Sequence, residues 1–321
     1  MTPRRGTWSV RGLDLAWHEW GPADGPVALC IHGFLDHGES WAFVAEMLAA
    51  EGIRLVAPDT RGHGHSGWVG DGGYYHFYDY YLDLERLVRG PLGDVPFVLA
   101  GHSMGGSIAT GLAALLGEQV RGLVLLEGMG PPFSDLDSAP DRLSRWTRAL
   151  ADGPVSQPRD ERRASRRLMT DLEEAAERLR RMNPRLSEPR AERLAASFSE
   201  PTRGGFAWRY DPLHRTPAAK PYIAAEAQAL WRSIQAPTLS LFGGRGLVPD
   251  NIQERHAHIP SVLVATVPDT GHNLHHERPE VIAAALSARV RDTPLEPPPG
   301  AVLGTPEGRT WATSMAEFRR P

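Results

Sequence analysis

The sequence is poor in the residues that build cross-linked or membrane-embedded proteins. Its 321 residues include one cysteine, Cys30, so an intramolecular disulfide is impossible and a disulfide-stapled secreted domain is excluded. Cys30 lies within the apolar segment VALCI, where a small buried thiol is the expected state. No apolar run approaches the roughly 18 residues that a transmembrane helix requires, so no membrane span is expected.

The sequence also has little net charge and almost no lysine. Lys220 is the only lysine among 35 basic residues, and the formal net charge is −4. This balance gives no electrostatic basis for binding nucleic acid or an anionic membrane. The first residues, MTPRRGTWSV, contain arginines but no apolar segment after them, so a signal peptide is not expected. We therefore predict a cytoplasmic protein that binds neither nucleic acid nor a membrane.

The chain does contain a regular alternation of short apolar runs and longer helical patterns. Strands are predicted for TWSV, LDLAWHEW, VALCI, RLVAP, PFVLAG, GLVLLE, PTLSLF and SVLVATV. Helices are predicted for SWAFVAEMLAAEG, YYHFYDYYLDLERLVR, SMGGSIATGLAALLG and RPEVIAAALSARVR. The first two strands should form a hairpin that turns at Arg11-Gly12. The alternation that follows predicts an α/β protein whose mostly parallel sheet carries helices on both faces.

The alternation stops between residues 131 and 235, where the sequence becomes helical and rich in charge. Between Asp141 and Tyr210 there are 16 arginines and 11 acidic residues. We interpret this excess as a solvated outer face, with steering of an anionic substrate as the alternative. One apolar stripe at helical spacing is expected: Leu168, Leu172, Leu179 and Met182. Because this block follows the sixth strand, it should lie over the carboxyl edge of the sheet as a helical cap.

These patterns divide the chain into four parts. Residues 1–130 form the first part of the α/β core, residues 131–235 the helical cap, and residues 236–292 the second part of the core. Residues 293–321 are dense in proline and glycine and have no periodicity, so we expect a poorly ordered tail.

The strongest chemical signal is the segment VLAGHSMGGSIATGLAALL. It contains Gly101-His102-Ser103-Met104-Gly105, a G-x-S-x-G motif between a predicted strand and a predicted helix, which is the context this motif requires. Glycines stand two residues before and two residues after the serine because so tight a turn leaves no room for side chains at those positions. Ser103 would stand on top of the sheet at a helix N-terminus, which favours developing negative charge. We predict that Ser103 is a nucleophile.

Three further segments accompany this motif in order along the chain. They are His32-Gly33-Phe34-Leu35, Asp59-Thr60-Arg61-Gly62-His63-Gly64-His65-Ser66 and Gly271-His272. Together with the serine motif they resemble the α/β-hydrolase superfamily, in particular its cap-bearing group of esterases, epoxide hydrolases and dehalogenases. The resemblance covers nearly all of residues 7–291 apart from the cap, and it implies the α/β-hydrolase fold.

The resemblance also implies roles for particular residues. The backbone N–H groups of Phe34 and Met104 would form the oxyanion hole, and His272 would be the general base. His32 would brace the loop that carries Phe34. Dehalogenases and epoxide hydrolases use a carboxylate nucleophile, so the serine at position 103 excludes their alkyl-enzyme ester and leaves acyl transfer.

A catalytic histidine needs an acid beside it, and the commonest position for that acid holds a glycine here. Most relatives place an aspartate in a turn that ends in Val-Pro, and the corresponding residue in PTLSLFGGRGLVPD is Gly246. The carboxylates that could replace it are Glu127, Asp250, Asp269 and Asp211. We favour Glu127, because it ends the strand after the Ser103 helix and preserves the order Ser…Glu…His of this fold. Asp250 is the main alternative, although the N-cap of a helix is its simpler role.

The sequence therefore predicts a serine hydrolase that cleaves small-molecule carboxylic esters, without a cofactor or a metal. His63 and His65 lie two residues apart on a turn, which is weak support for a metal site. The segments LEGMGPP and GGFAWRYDPLHRT further resemble the serine hydrolase-like branch of the superfamily. The alternatives are a hydrolase of a lactone, thioester or peptide amide, and a non-catalytic ligand receptor. The natural substrate and the oligomeric state are not predicted.

Overall fold

The computed structural model describes residues 1–152 and 154–306. Its strands are β1 (Arg4–Val10), β2 (Leu13–Trp20), β3 (Val27–Ile31), β4 (Arg54–Pro58), β5 (Phe97–His102), β6 (Val120–Leu126), β7 (Ser199–Thr202), β8 (Gly205–Trp208), β9 (Thr238–Gly243), β10 (Val262–Val267) and β11 (Val302–Leu303). Its α-helices are α1 (Ala42–Ala50), α2 (Asp79–Arg89), α3 (Met104–Leu116), α4 (Ala139–Asp152), α5 (Arg159–Ala164), α6 (Leu172–Met182), α7 (Glu188–Phe198), α8 (Ala224–Arg232), α9 (Ile252–His256), α10 (Leu274–Glu277) and α11 (Pro279–Val290).

Nine strands form one sheet in the order β1-β2-β4-β3-β5-β6-β9-β10-β11. The strands from β4 to β10 in that order run parallel, whereas β1, β2 and β11 pair antiparallel with their neighbours. Strands β3, β5 and β9 are buried along their whole length, as expected for parallel strands covered on both faces. The predicted hairpin is confirmed, and Arg11 and Gly12 form its turn with φ of 52° and 79°.

Helices cover both faces of the sheet. Helices α2, α3 and α8 pack on one face, and α1 and α11 pack on the other. Because the parallel strands all end at one edge, the residues that follow β3, β4, β5, β6 and β9 gather there. This edge of the sheet carries the site described below. Within residues 1–152 and 154–306, no helix is long and apolar enough to cross a membrane.

The segment between β6 and β9, which we propose as the cap, contains α4 to α8 and an antiparallel hairpin of β7 and β8. It has a small core of its own, formed by Met169, Ala175, Ala176, Leu186, Ala191, Leu194, Ala195 and Phe198. The sequence predicted helices alone for this segment. The hairpin was missed because its strands have four residues each, too few to show an alternating pattern.

The predicted apolar stripe of the cap is wrong. Helix α6 begins only at Leu172, after the N-cap residue Asp171, so Leu168 lies outside it. Leu168 and Leu172 are each 37% exposed and Met182 is 66% exposed. The buried face consists of Ala175 and Ala176, whose small side chains let α6 lie close against α7. Leu179 alone of the stripe packs against the core of the cap.

The predicted tail is built into the fold over its first part, which corrects the expectation of poor order there. Val302 and Leu303 pair with Thr266 and Ala265 of β10 and extend the sheet. The side chain of Arg289 also donates to the carbonyl oxygen of Pro294 at 2.7 Å. A two-residue strand is too short to be recognised from a sequence pattern. Residues 307–321 of the predicted tail lie outside the described residues.

Candidate active site

Ser103 lies in the sharp turn between β5 and α3. Its φ of 52° and ψ of −116° fall in a region that is costly for a residue with a side chain. The neighbouring glycines make this turn possible, because a Cβ on Gly105 would lie 2.3 Å from the carbonyl oxygen of Ile31. A Cβ on Gly106 would lie 2.3 Å from the Cα of Gly128. The Ser103 side chain makes no capping hydrogen bond to the helix and is half-buried, so its hydroxyl stands at the sheet edge.

The loop after β3 lies against Ser103. A Cβ on Gly33 would be 3.5 Å from the Cβ of Ser103 and 2.8 Å from Nδ1 of His102. The next residue, Phe34, follows Gly33 directly in this loop and is 50% exposed. On the other side, Met104 is the first residue of α3, and its N–H has no acceptor within the helix. The two predicted oxyanion donors therefore flank Ser103.

His32 holds the Phe34 peptide in place. Its Nδ1–H donates to the carbonyl oxygen of Gly33 at 2.7 Å, and its Nε2 accepts from the N–H of Thr60 at 3.0 Å. Burial lowers the pKa of His32 to about 4, which keeps the ring neutral and able to make both bonds. Because the C=O and N–H of a trans peptide point in opposite directions, fixing the Gly33 carbonyl also orients the N–H of Phe34.

Glu127 is the hydrogen-bond partner of His272. Nδ1 of His272 lies 2.6 Å from Oε2 of Glu127, whose side chain is fully buried. The carboxylate also accepts from the backbone N–H of Gly243 at 2.7 Å and of Leu247 at 2.6 Å. Burial raises the pKa of Glu127, while His272 and these two N–H groups act in the opposite direction. The charge of Glu127 thus has three donors around it.

Gly246 leaves the space that the Glu127 carboxylate fills. A Cβ at position 246 would lie 1.5 Å from Oε1 of Glu127, well inside van der Waals contact. Any residue with a side chain at this position would displace the carboxylate. The glycine at the commoner acid position and the glutamate at the end of β6 therefore depend on each other.

The other three candidate acids lie in different surroundings. Asp250 is exposed, and the N-cap of α9 is Asn251, so the predicted capping role of Asp250 is wrong. The side chain of Asp269 is 89% exposed and lies 3.8 Å from Nη2 of Arg245. Asp211 is fully buried within the cap. Of the four carboxylates considered, Glu127 holds the Nδ1 position of His272.

Two positioning residues were missed from the sequence. His102 donates from Nε2 to the carbonyl oxygen of His272 at 2.9 Å, and the two rings lie 4.6 Å apart. Glu277 accepts from the N–H of Gly271 at 2.8 Å through Oε2. Burial holds the pKa of His102 well below its ordinary value, so His102 is neutral. Its only signal in the sequence is its place as the first variable residue of G-x-S-x-G.

Two groups of side chains in the described part of the chain could hold a metal ion by their spacing. Their ligand atoms lie within 4.8 Å of one another, and the groups are His18, His37 and Asp59, and Asp36, His275 and His276. The histidines of both groups already have hydrogen-bond partners, within the first group and outside the second. In the first, Nε2 of His18 lies 3.0 Å from Asp59, and in the second Ser40 Oγ lies 2.6 Å from Nε2 of His275. Neither group contains Ser103 or His272, and the predicted lack of a metal stays a prediction.

The sheet, the strained serine turn and the histidine–carboxylate pair define a protein of the nucleophile-elbow class. Comparison with known proteins gives the family, because the model of the alpha/beta hydrolase family matches residues 28–285. The chain belongs to the α/β-hydrolase family. A 3-hydroxybutyrate-oligomer hydrolase of Cupriavidus necator is 33% identical over 287 residues, which cover 84% of this chain and 91% of that protein.

Two further relatives agree with this assignment. A serine hydrolase-like protein of Danio rerio is 32% identical over 215 residues, which cover 65% of this chain and 64% of that protein. Among solved structures, the thioesterase domain from the curacin biosynthetic pathway matches with a TM-score of 0.80 and 29% identity. That match covers 90% of this chain and 100% of the thioesterase chain. The α/β-hydrolase fold and the likeness to serine hydrolase-like proteins, both predicted from motifs, are confirmed.

Proposed function

We propose that this protein is a serine hydrolase that cleaves carboxylic esters through an acyl-enzyme. The observation that carries the proposal is the 2.6 Å contact between Nδ1 of His272 and the buried carboxylate of Glu127. A histidine held in this way presents Nε2 as a base, and the carboxylate stabilises the imidazolium that forms. Ser103, on its strained turn at the same edge of the sheet, is the group on which such a base acts.

In the first half of the reaction, Oγ of Ser103 attacks the acyl carbon and Nε2 of His272 takes its proton. The N–H groups of Phe34 and Met104 donate to the oxygen that becomes negative. His272 then returns the proton to the leaving alcohol as the ester bond breaks. In the second half, a water molecule gives a proton to His272 and attacks the acyl-enzyme. Ser103 recovers that proton, and the carboxylic acid is released.

The relatives support an ester substrate and also one alternative. The Cupriavidus necator protein is named for hydrolysis of 3-hydroxybutyrate oligomers, which supports a small hydroxyacyl ester as substrate. The curacin domain is a thioesterase, which favours a thioester as the second candidate substrate. Both bonds are cleaved by the same acyl transfer, so the residue roles are unchanged between them. The cytoplasmic location predicted from the sequence stays a prediction, which cell fractionation would check.

The decisive substitution is Ser103→Ala. We expect it to lower kcat for p-nitrophenyl acetate and butyrate by about 10⁴-fold or more, because no acyl-enzyme can form. The matched control is Ser233→Ala, which removes an exposed hydroxyl at the end of α8 and should leave kcat unchanged. Retained turnover in Ser103→Ala would refute the mechanism.

Labelling with a fluorophosphonate probe separates the enzyme from the non-catalytic receptor that the sequence also allowed. The enzyme should be labelled at Ser103, which mass spectrometry of the tryptic peptide identifies. A receptor would bind a ligand without labelling. Comparing kcat/KM for an ester and the thioester of the same acyl group then ranks the two substrate classes.

A further inference from the structure

A cavity of about 440 Å³ lies between the cap and the helical face of the sheet that carries α3. Aromatic rings form part of its wall, with Tyr74, Tyr75, Phe77, Tyr81, Tyr222 and Trp231 among the lining residues. Rings of this kind favour a flat or extended apolar body, which they contact over a large area at little conformational cost. A cavity of this size and character is suited to a small organic molecule.

The cavity also carries an excess of positive charge. Arg142, Arg145 and Lys220 line it, together with the single carboxylate of Glu226. Lys220 pairs with Glu226 at 3.2 Å, so these two charges balance each other. The two arginines remain, both on the cap helix α4 and three residues apart, which places them on the same side of that helix.

Of the two arginines, Arg142 has the guanidinium group that is better prepared to bind an anion. Its Nε–H donates to the carbonyl oxygen of Ala219 at 3.1 Å, which orients the guanidinium group. Its Nη1 is buried and has no hydrogen-bond partner within residues 1–152 and 154–306. A buried donor on a cation is costly when unpaired, and a planar guanidinium is well matched to the oxygens of a carboxylate.

The cavity lies beside the nucleophile. Ser107 lines it, and the N–H of Ser107 donates to the carbonyl oxygen of Ser103 at 3.2 Å. The cavity wall thus begins one helical turn, about 5.4 Å, from Ser103. Tyr75, another lining residue, stacks on His214 at 3.8 Å, and His214 meets the ring of Phe34 edge-on at 6.5 Å. A ligand chain that leaves Ser103 along α3 therefore enters a space with an aromatic wall and an arginine in it.

We propose that this cavity receives the distal part of the substrate and that Arg142, assisted by Arg145, binds an anionic group carried on that part. The substrate class is then an ester with an apolar middle and a carboxylate away from the scissile bond. This inference rests on the proposed ester hydrolysis and adds a specificity site in the cap to it. No covalent step is involved, since the arginines act by hydrogen bonding and charge.

The test compares two esters of the same length, monomethyl suberate with its free carboxylate and neutral dimethyl suberate. We expect the parent protein to favour the monoester in kcat/KM. In Arg142→Gln the ratio of monoester to diester kcat/KM should fall by about 10- to 100-fold, the factor of one hydrogen bond to a charged group. The ratio is used because any general loosening of the wall would lower both rates together. Arg145→Gln should lower the ratio to a smaller extent.

The matched control is Arg148→Gln, on the same helix but outside the cavity, which should leave the ratio unchanged. Equal ratios in Arg142→Gln and Arg148→Gln would overturn the proposal, as would a parent preference for the diester.

Binding to Ser103→Ala gives a second readout that does not depend on turnover. Trp231 lines the cavity, so the tryptophan fluorescence of the protein should respond to 4-phenylbutyrate at lower concentration than to 4-phenylbutan-1-ol. Equal affinity for the acid and the alcohol would contradict the anion site. Hydrolysis of an ester substrate by Ser103→Ala would instead contradict only the serine mechanism.

Discussion

The sheet edge and the cap hold their polar groups by different means. At the edge, the Glu127 carboxylate is bound by His272 and by backbone N–H groups of Gly243 and Leu247. Backbone donors have fixed positions once the sheet has formed. The carboxylate has room beside them because Gly246 has no side chain. In the cap, charged side chains bind one another across short helices. The polar contacts at the sheet edge therefore depend on the backbone of the fold, whereas those in the cap depend on which charged side chains are present.

Two arginines of the cap are buried in ion pairs of this kind. Arg162 and Arg166 are 2% and 9% exposed, so the interpretation of the arginine excess as a solvated outer face is wrong for these two. Arg162 lies 2.9 Å from Asp211, and Arg166 lies 2.7 Å from Glu200. Composition alone does not separate a buried pair from a solvated charge, because both contribute equally to a count.

The comparison predicts that the largest loss of activity comes from the sheet edge. We expect Glu127→Gln to lower kcat by about 10³- to 10⁴-fold, because an amide can neither set the His272 tautomer nor stabilise its imidazolium. Steady-state hydrolysis of p-nitrophenyl butyrate measures this. The matched change is Asp250→Asn, which should alter kcat by less than about threefold. A larger loss in Asp250→Asn than in Glu127→Gln would assign the acid to Asp250 instead.

The mutual dependence of Gly246 and Glu127 can be tested by moving the acid. Glu127→Gly removes the carboxylate and frees the space, and adding Gly246→Asp places a carboxylate at the commoner position. We expect the double variant to be at least about tenfold more active than Glu127→Gly alone, since a carboxylate again faces His272. Activity at or below that of the single variant would contradict this account of position 246.

A smaller effect is expected in the cap, and it should appear in stability. Asp211 is fully buried and binds Arg162 through both oxygens, at 3.1 and 2.9 Å. Asp211→Asn leaves a buried guanidinium without its counter-charge, which costs about 3–5 kcal/mol. Urea unfolding gives this value. Glu177→Gln, at an exposed pair with Arg181, should cost less than about 1 kcal/mol. Equal losses of unfolding free energy in the two variants would show that burial does not strengthen the Asp211–Arg162 pair.

The smallest effect concerns pH and a histidine that belongs neither to the His272–Glu127 pair nor to the cap. Burial lowers the pKa of His256 to about 4, and its Nε2 lies 3.0 Å from Oγ of Ser240. Since the folded pKa is below the unfolded value, its contribution is complete above pH 6.5 and is lost as the pH falls toward 4. The loss is at most about 1.4 kcal/mol per pH unit. His256→Asn should therefore flatten the decline in unfolding free energy between pH 6.5 and 4.5. Identical slopes for both proteins would contradict it.

The sequence predicted the parts of the site that are local in the chain. Ser103 and its glycines form one short motif, and His272 follows a strand at the expected place. Glu127 required a longer argument, because the glycine that identifies it lies more than one hundred residues away. The role of His102 was beyond reach, since its bond to the His272 carbonyl exists only after β5 and the last strands have come together.

Several features of the cap could not be predicted from the sequence, and the reason is physical. A stripe of leucines predicts a buried face only if one helix contains them all, and the N-cap at Asp171 starts α6 too late for that. The short strands β7, β8 and β11 carry too few residues to show a period. Such features depend on neighbours distant in the chain, whereas motifs and long buried strands do not.

The close fit between Gly246 and Glu127 also restricts how this active site can change over generations. Gaining an aspartate at position 246 while Glu127 is present would crowd two carboxylates into one space, and losing Glu127 first would leave His272 without an acid. Under the proposed mechanism, every one-step route between the two arrangements therefore passes through an impaired enzyme. A lineage that has adopted either placement of the acid is expected to keep it, which makes the pair 127 and 246 a marker of descent.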